Sequence, residues 1–128
     1  MLEYGWGDYE ETYMVVRFHE YWTVEDYVQC VISVSSKLMQ LDHEINFIVD
    51  LRHSAAPPAT VFSVITRSIS QRPKNVGRVV VVTTTPLWKR VYGTLINYQV
   101  DHDNKLNIRF VMSMDEAYSL ILSARAIS

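Results

Sequence analysis

Cysteine is all but missing: Cys30 stands alone among 128 residues. An internal disulfide, a cysteine-based zinc cluster and a CxxC redox pair are therefore excluded, and the composition suits a reducing compartment, with the cytoplasm as the expected location. Neither sign of charge dominates, since 12 Lys plus Arg stand against 14 Asp plus Glu, a formal net charge of −2. Such a surface exerts no overall pull on phosphate backbones or acidic lipid, so nucleic acid is not an expected partner. No stretch approaches the ~18 consecutive apolar residues of a membrane span, and MLEYGWGDYEET lacks the basic and then apolar run of a signal peptide. Membrane insertion is not expected. Gly and Pro number only four each, and there is no repeat, linker or low-complexity tract. What remains is globular usage, 48% apolar and 20% charged, in a chain the size of one domain spanning residues 1–128.

The hydrophobic period switches repeatedly between short apolar runs and helical spacing, which predicts alternating strands and helices. TYMVVRF (12–18) is rich in β-branched and aromatic residues. Thr23 then offers an N-cap, with Glu25 and Asp26 in the first helical turn. Val24, Tyr27, Val28, Val31, Val34 and Leu38 recur at three- and four-residue steps and predict a core-facing helix ending near Gln40. INFIVDL (45–51) is a nearly continuous apolar run. After Pro57 and Pro58, Val61, Phe62, Ile65 and Ile69 repeat at helical spacing, with Thr60 at the helix start and Pro73 as its stop.

VGRVVVV (76–82) has the unbroken character of a strand covered on both faces. Thr85 caps the next expected helix, with Pro86 at its first position. NIRFVM (107–112) is the last strand, and Ser113 with Glu116 forms a capping-box pattern ahead of a helix whose inner face is Ala117, Leu120, Ile121 and Ala124. The N-terminal YGWGDY is expected as an additional edge strand or hairpin arm. Crossovers this short require mainly parallel pairing and right-handed connections. The expected fold is α/β: a single-domain βα superhelix, its mainly parallel four- to five-stranded sheet packed by helices.

Trp6 and Asp8 before TYMVVRF, then YWTVEDY, FIVDLRHS, PKNVGRVVVV and the closing RFVMSMDEAYSLI resemble a STAS-type domain, also called SpoIIAA-like. More narrowly, the chain resembles small bacterial single-domain STAS-like proteins of unassigned function. The resemblance spans nearly the whole chain and rests on residues that specify a scaffold. It implies a non-enzymatic regulatory or protein-interaction module of the bacterial cytoplasm. In the best-known members a serine at a helix start, in an Asp-Ser pair, is phosphorylated to break a complex with a kinase-like partner. Here HSAAPPATVF replaces that motif, so neither Ser54 nor Thr60 inherits the phosphosite.

Ligands of open parallel sheets gather beyond the carboxyl ends of strands. Three exits are expected to meet there: Arg52, His53 and Ser54 after one strand, Thr83, Thr84 and Thr85 after its neighbour, and Ser113 after another. Hydroxyls, helix N-termini and the Arg52 guanidinium would together suit a small anion, phosphate or carboxylate. The structural alternative is that Thr60, Thr85 and Ser113 only cap helices and that Asp50 only bonds loop amides. Catalytic and metal chemistry are not expected, nor is a cofactor. His19, His43, His53 and His102 are scattered without ligand spacing, no GxSxG elbow accompanies His53 and Ser54, and the sequence has no Walker or dinucleotide fingerprint. Asp101-His102-Asp103, within DHDNK, has the composition of a solvated turn.

In TPLWKRVYGTLINYQ the apolar positions spread over about half the helix circumference, more than one sheet contact needs. Its outer edge, Trp88, Tyr92 and Ile96, is either a partner surface or packed within the monomer; as an interface, its economical form is a homodimer. The alternative function is a small-molecule or lipid-type carrier holding an apolar ligand between helices and sheet. That would need an apolar cavity of several hundred Å³.

Overall fold

A computed structural model describes residues 2–55, 60–84 and 107–127, apart from the side chains of residues 62 and 124–127. In chain order the elements are β1 (Leu2–Trp6), β2 (Tyr13–Phe18), α1 (Val24–Met39), β3 (Ile45–Asp50), α2 (Val61–Ser70), β4 (Val76–Val82), β5 (Ile108–Val111) and α3 (Met114–Ile127). The strands form one sheet in the order β1-β2-β3-β4-β5, with β1 antiparallel to β2 and every other pairing parallel. The fold is therefore α/β with a mostly parallel five-stranded sheet, and the N-terminal arm supplies an edge strand. Among the described residues no helix is long and apolar enough to cross a membrane. The helix expected after Pro86 lies outside the described residues, with Thr85, Trp88, Tyr92 and Ile96; so do Pro57, Pro58 and the DHDNK turn.

Local chemistry accounts for the helix ends. Thr23 Oγ1 accepts the Asp26 N–H at 3.1 Å while Asp26 Oδ2 accepts the Thr23 N–H at 3.0 Å, a reciprocal capping box that satisfies two orphan donors of α1. Ser113 caps α3 similarly, its Oγ accepting the Glu116 N–H at 3.2 Å. Thr60 differs from the expectation. Its backbone is already helical, φ −81° and ψ −7°, and it makes no side-chain cap bond. A capping hydroxyl reaches the N2 or N3 amide only from an extended backbone, so Thr60 is not placed to cap α2. At the other end α2 stops at Gln71, whose N–H bonds the Arg67 carbonyl, two residues before Pro73.

Strand alternation sorts the apolar residues into two cores. Met14, Val16, Phe18, Phe47 and Val81 face α1 and α2, where Leu38, Val61 and Ile65 meet them. Ile48, Val80, Val82 and Val111 face α3, packing on Ala117 and Ile121. Each fully buried aliphatic side chain contributes roughly 1.5–3 kcal/mol. Because α1 and α2 share one face and join successive strands in the same direction, their two crossovers have the same hand.

Two-sided cover of VGRVVVV holds for its carboxyl half, since only Val80, Val81 and Val82 are fully buried. At the other half the pairing shifts from Ile45–Val76 to Phe47–Val79, leaving one extra residue on β4. Asn46, buried in the supposedly apolar β3, accepts the Arg78 N–H at 2.8 Å across this bulge. Glycine suits position 77, because a Cβ there would press on the Asn46 amide that holds the Arg78 N–H, and would displace the Glu44 side chain.

Candidate functional site

β3, β4 and β5 end in step, Asp50 pairing with Val82 and Val82 with Val111. At about 4.8 Å per strand, their three exits lie side by side within roughly 10 Å. The fold thus brings the segments carrying Arg52, Thr83, Thr84 and Ser113 to one edge. Thr83 extends the ladder, its N–H donating to the Val111 carbonyl at 3.0 Å, and is buried; Thr84 is exposed. The Ser113 hydroxyl is engaged in its cap, 3.4 Å from Glu116 Oε1. Thr85 lies outside the described residues.

At the β3 end of this edge lies Asp50, which bonds a loop amide as the structural alternative has it, and a side chain besides. It sits on the α3-facing side of β3, in line with Ile48, and is 2% exposed. Arg52 Nε donates to Oδ1 and Nη2 to Oδ2, both at 2.9 Å, and the Arg52 backbone N–H adds a third bond to Oδ1 at 3.1 Å. The turn after β3 therefore folds the arginine back onto the strand that precedes it. Burial pushes the Asp50 carboxyl up, but the side-chain and backbone hydrogen bonds from Arg52, with its charge, outweigh that and hold it below the usual carboxylate range. The same bonds raise the Arg52 pKa. Arg52 is thus not a loose cation awaiting an anion. Its Nε and Nη2 edge is taken, while the side chain remains 34% exposed.

His53 and Ser54 part company. Both lie in the turn after β3, off the extended strand, with His53 exposed and Ser54 half-buried. The Ser54 hydroxyl accepts the Trp22 indole N–H at 2.7 Å and donates to the Ala55 carbonyl at 2.9 Å. Ala55 N–H in turn bonds the Glu20 carbonyl at 2.9 Å. The segment after β2 and the loop after β3 are laced together by these bonds, so Ser54 is structural in its contacts and no nucleophile–base pair with His53 results. The sequence signal for this link was slight: a tryptophan 32 residues away gives no spacing to recognise. The signal for Asp50 was stronger, an acid closing an apolar strand two residues before an arginine.

The opposite core contains an apolar cavity of about 190 Å³ between α1, α2 and the sheet, lined by Phe18, Tyr27, Cys30, Val34, Phe47 and Ile65 among others. Tyr27 and Ser68 hydroxyls bridge α1 and α2 across 2.6 Å. Burial pushes the Tyr27 phenol up to about 12 and the Cys30 thiol up to about 11. Among the described residues, no three His, Cys, Asp or Glu side chains gather as metal ligands would. No protein-family model, curated protein or solved structure matches the chain.

Proposed function

We propose that the chain is a STAS-like protein-interaction module, non-enzymatic, whose partner engages the carboxyl edge of β3, β4 and β5. The observation that carries this reading is the Asp50–Arg52 pair: a cation fixed in one geometry by a buried carboxylate, yet a third exposed, at the same sheet edge as the exposed Thr84. Pre-organised arginines of this kind lose little side-chain entropy on contact, and arginine is enriched at interfaces. The order of elements agrees with the sequence resemblance, and the Ser54 and Ser113 hydroxyls are committed to indole and backbone partners.

A carrier function is the second reading, favoured by the cavity under α1 and α2. Its volume of about 190 Å³ lies below the roughly 300–1,000 Å³ of ordinary ligand pockets, which suits a molecule of benzene size better than a lipid.

The test compares wild type with Thr84→Glu and Arg52→Glu in affinity capture from the native cell extract, with circular dichroism confirming that each variant is folded. Thr84→Glu is the cleaner probe, since the residue is exposed. A protein retained by wild type and lost by both variants supports the edge as the contact surface. Equal retention by all three, or none by wild type, removes the proposal.

A further inference from the structure

The sheet has an open side at β1. Gly7 donates its N–H to the Tyr13 carbonyl at 2.9 Å, and the β1–β2 register pairs Gly5 with Val15 and Glu3 with Arg17. Antiparallel ladders alternate strictly, so the backbone groups of Glu3, Gly5 and Gly7 face β2 while those of Leu2, Tyr4 and Trp6 face outward. Among the described residues no strand pairs with that outer side.

Natural proteins blunt such edges with lysine, proline, bulges or inward-pointing charges. LEYGW has no lysine and no proline, and its pairing with β2 is unbroken over five residues. Glu3 is its one charge, and Glu3 Oε2 lies 3.0 Å from His19 Nε2 of the residue following β2, drawn toward its own sheet. The loop behind the strand is well held: Asp8 Oδ1 accepts the Thr12 N–H at 2.8 Å, and the Tyr13 ring occupies the space a side chain at Gly7 would need. Among the described residues the edge is therefore held in place by these bonds and left unpaired on its outer side.

We propose that β1 pairs antiparallel with β1 of a second copy of this chain, about a two-fold axis through Tyr4, giving one continuous ten-stranded sheet. The sequence of the strand fits itself in this register. Leu2 meets Trp6 of the copy, Glu3 meets Gly5, and Tyr4 meets Tyr4. All outward backbone groups are then satisfied, and the two Glu3 side chains avoid each other by facing glycine. The parity also matches, because Leu2, Tyr4 and Trp6, which carry the outward groups, pair only with one another.

The helix layer is compatible. The flank of α1 next to β1 carries Asp26, Gln29, Cys30 and Ser33, which with Leu2 and Tyr4 line a shallow groove. The two-fold sets α1 antiparallel to its copy, so the acidic first turn of each helix, with Glu25 and Asp26, lies toward the last turn of the other, with Lys37. Charge and helix dipole both favour that arrangement. This surface is separate from the carboxyl edge, so the dimer neither requires nor excludes a partner there.

The test uses the full chain with Cys30→Ser, to remove the native thiol, carrying either Tyr4→Cys or Glu3→Cys, under mild oxidation. Position 4 meets itself across the axis at a Cα separation of about 5.5 Å, within disulfide range. Position 3 lies two residues from position 5 and so about 7 Å along the strand from its own copy, where no disulfide closes without backbone movement. The expected result is a covalent dimer from Tyr4→Cys at many times the rate of Glu3→Cys, a wild type that sediments as a dimer, and a folded monomer from Tyr4→Lys. A monomeric wild type at high concentration, equal cross-linking at positions 3 and 4, or a Tyr4→Lys dimer would overturn the proposal. Partner capture by the Tyr4→Lys monomer reports on the carboxyl edge separately.

Discussion

Trp22 Nε1 donates to Ser54 Oγ across 2.7 Å, joining the segment after β2 to the loop after β3. The indole is 7% exposed and its ring meets Phe18 edge-on at 4.9 Å, so its N–H has little access to water if the serine is removed. Ser54→Ala should therefore cost about 1–3 kcal/mol, the penalty of an unsatisfied buried donor. His53→Ala, at an exposed position, should stay within about 0.5 kcal/mol. Urea denaturation midpoints separate the two; equal effects would show that the indole finds another acceptor.

Asp50 gives the fold a definite pH dependence. Its folded pKa lies below the unfolded value, so it stabilises the protein above the unfolded carboxyl pKa of about 3.9 and loses that contribution as pH falls through the folded value. Wild type should lose stability below about pH 4 more steeply than Asp50→Asn, measured by denaturant midpoints from neutral pH into acid. A parallel decline in both proteins would assign acid sensitivity to other groups.

Removing the other partner tests the pair at neutral pH. Arg52→Ala leaves a buried carboxylate with only the backbone amide, which in a fully buried pair would cost about 3–5 kcal/mol. Since the Arg52 side chain is a third exposed, water replaces part of the loss and about 2 kcal/mol is expected. Arg52→Lys should recover little of it, because one ammonium cannot reproduce the two-pronged contact.

The two threonines at helix starts should behave differently. Thr23→Ala breaks the cap of α1 and should destabilise by about 1 kcal/mol. Thr60→Ala removes no cap bond and should change stability by less than about 0.5 kcal/mol. Thermal or urea unfolding of the single variants decides this, and a larger effect at Thr60 would reverse the assignment.

Cys30 faces the apolar cavity, and burial raises its thiol to about 11 from an ordinary 9. At pH 8 its thiolate fraction is lower by about a hundredfold, which the greater nucleophilicity of a more basic thiolate offsets in part, so alkylation by iodoacetamide should be slower in the folded protein than in urea by roughly tenfold or more. Rapid labelling of the native chain would mean that the half-buried thiol is reached, through opening of α1 and α2 or from the groove beside β1, and would overturn the expected protection.

The sequence by itself determined the elements that depend on near neighbours. Val76–Val82 is visible as five valines in seven residues, the last four consecutive, α1 as a stripe from Val24 to Leu38 behind Thr23, and α3 as the helix behind Ser113. Hydrophobic period and capping are local, and short-range chemistry suffices to recognise them. The same local logic failed at Thr60, where residue type suggested a cap but the backbone was already helical. The gathering of the three exits was legible as well, because parallel strands must end at one edge and the residues after each strand can be counted.

What tertiary structure alone decided is which polar groups at that edge are occupied. Arg52 turning back onto Asp50, and Ser54 receiving an indole from 32 residues earlier, depend on the turn after β3 and on the packing of β2 beside it. So does the open side of β1, which becomes an edge only when β2 takes β3 as its other neighbour. A pattern in the chain says that a residue is polar or that a segment is a strand. Whether its hydrogen bonds are already made is settled by partners distant in sequence, and that is a property of the folded sheet.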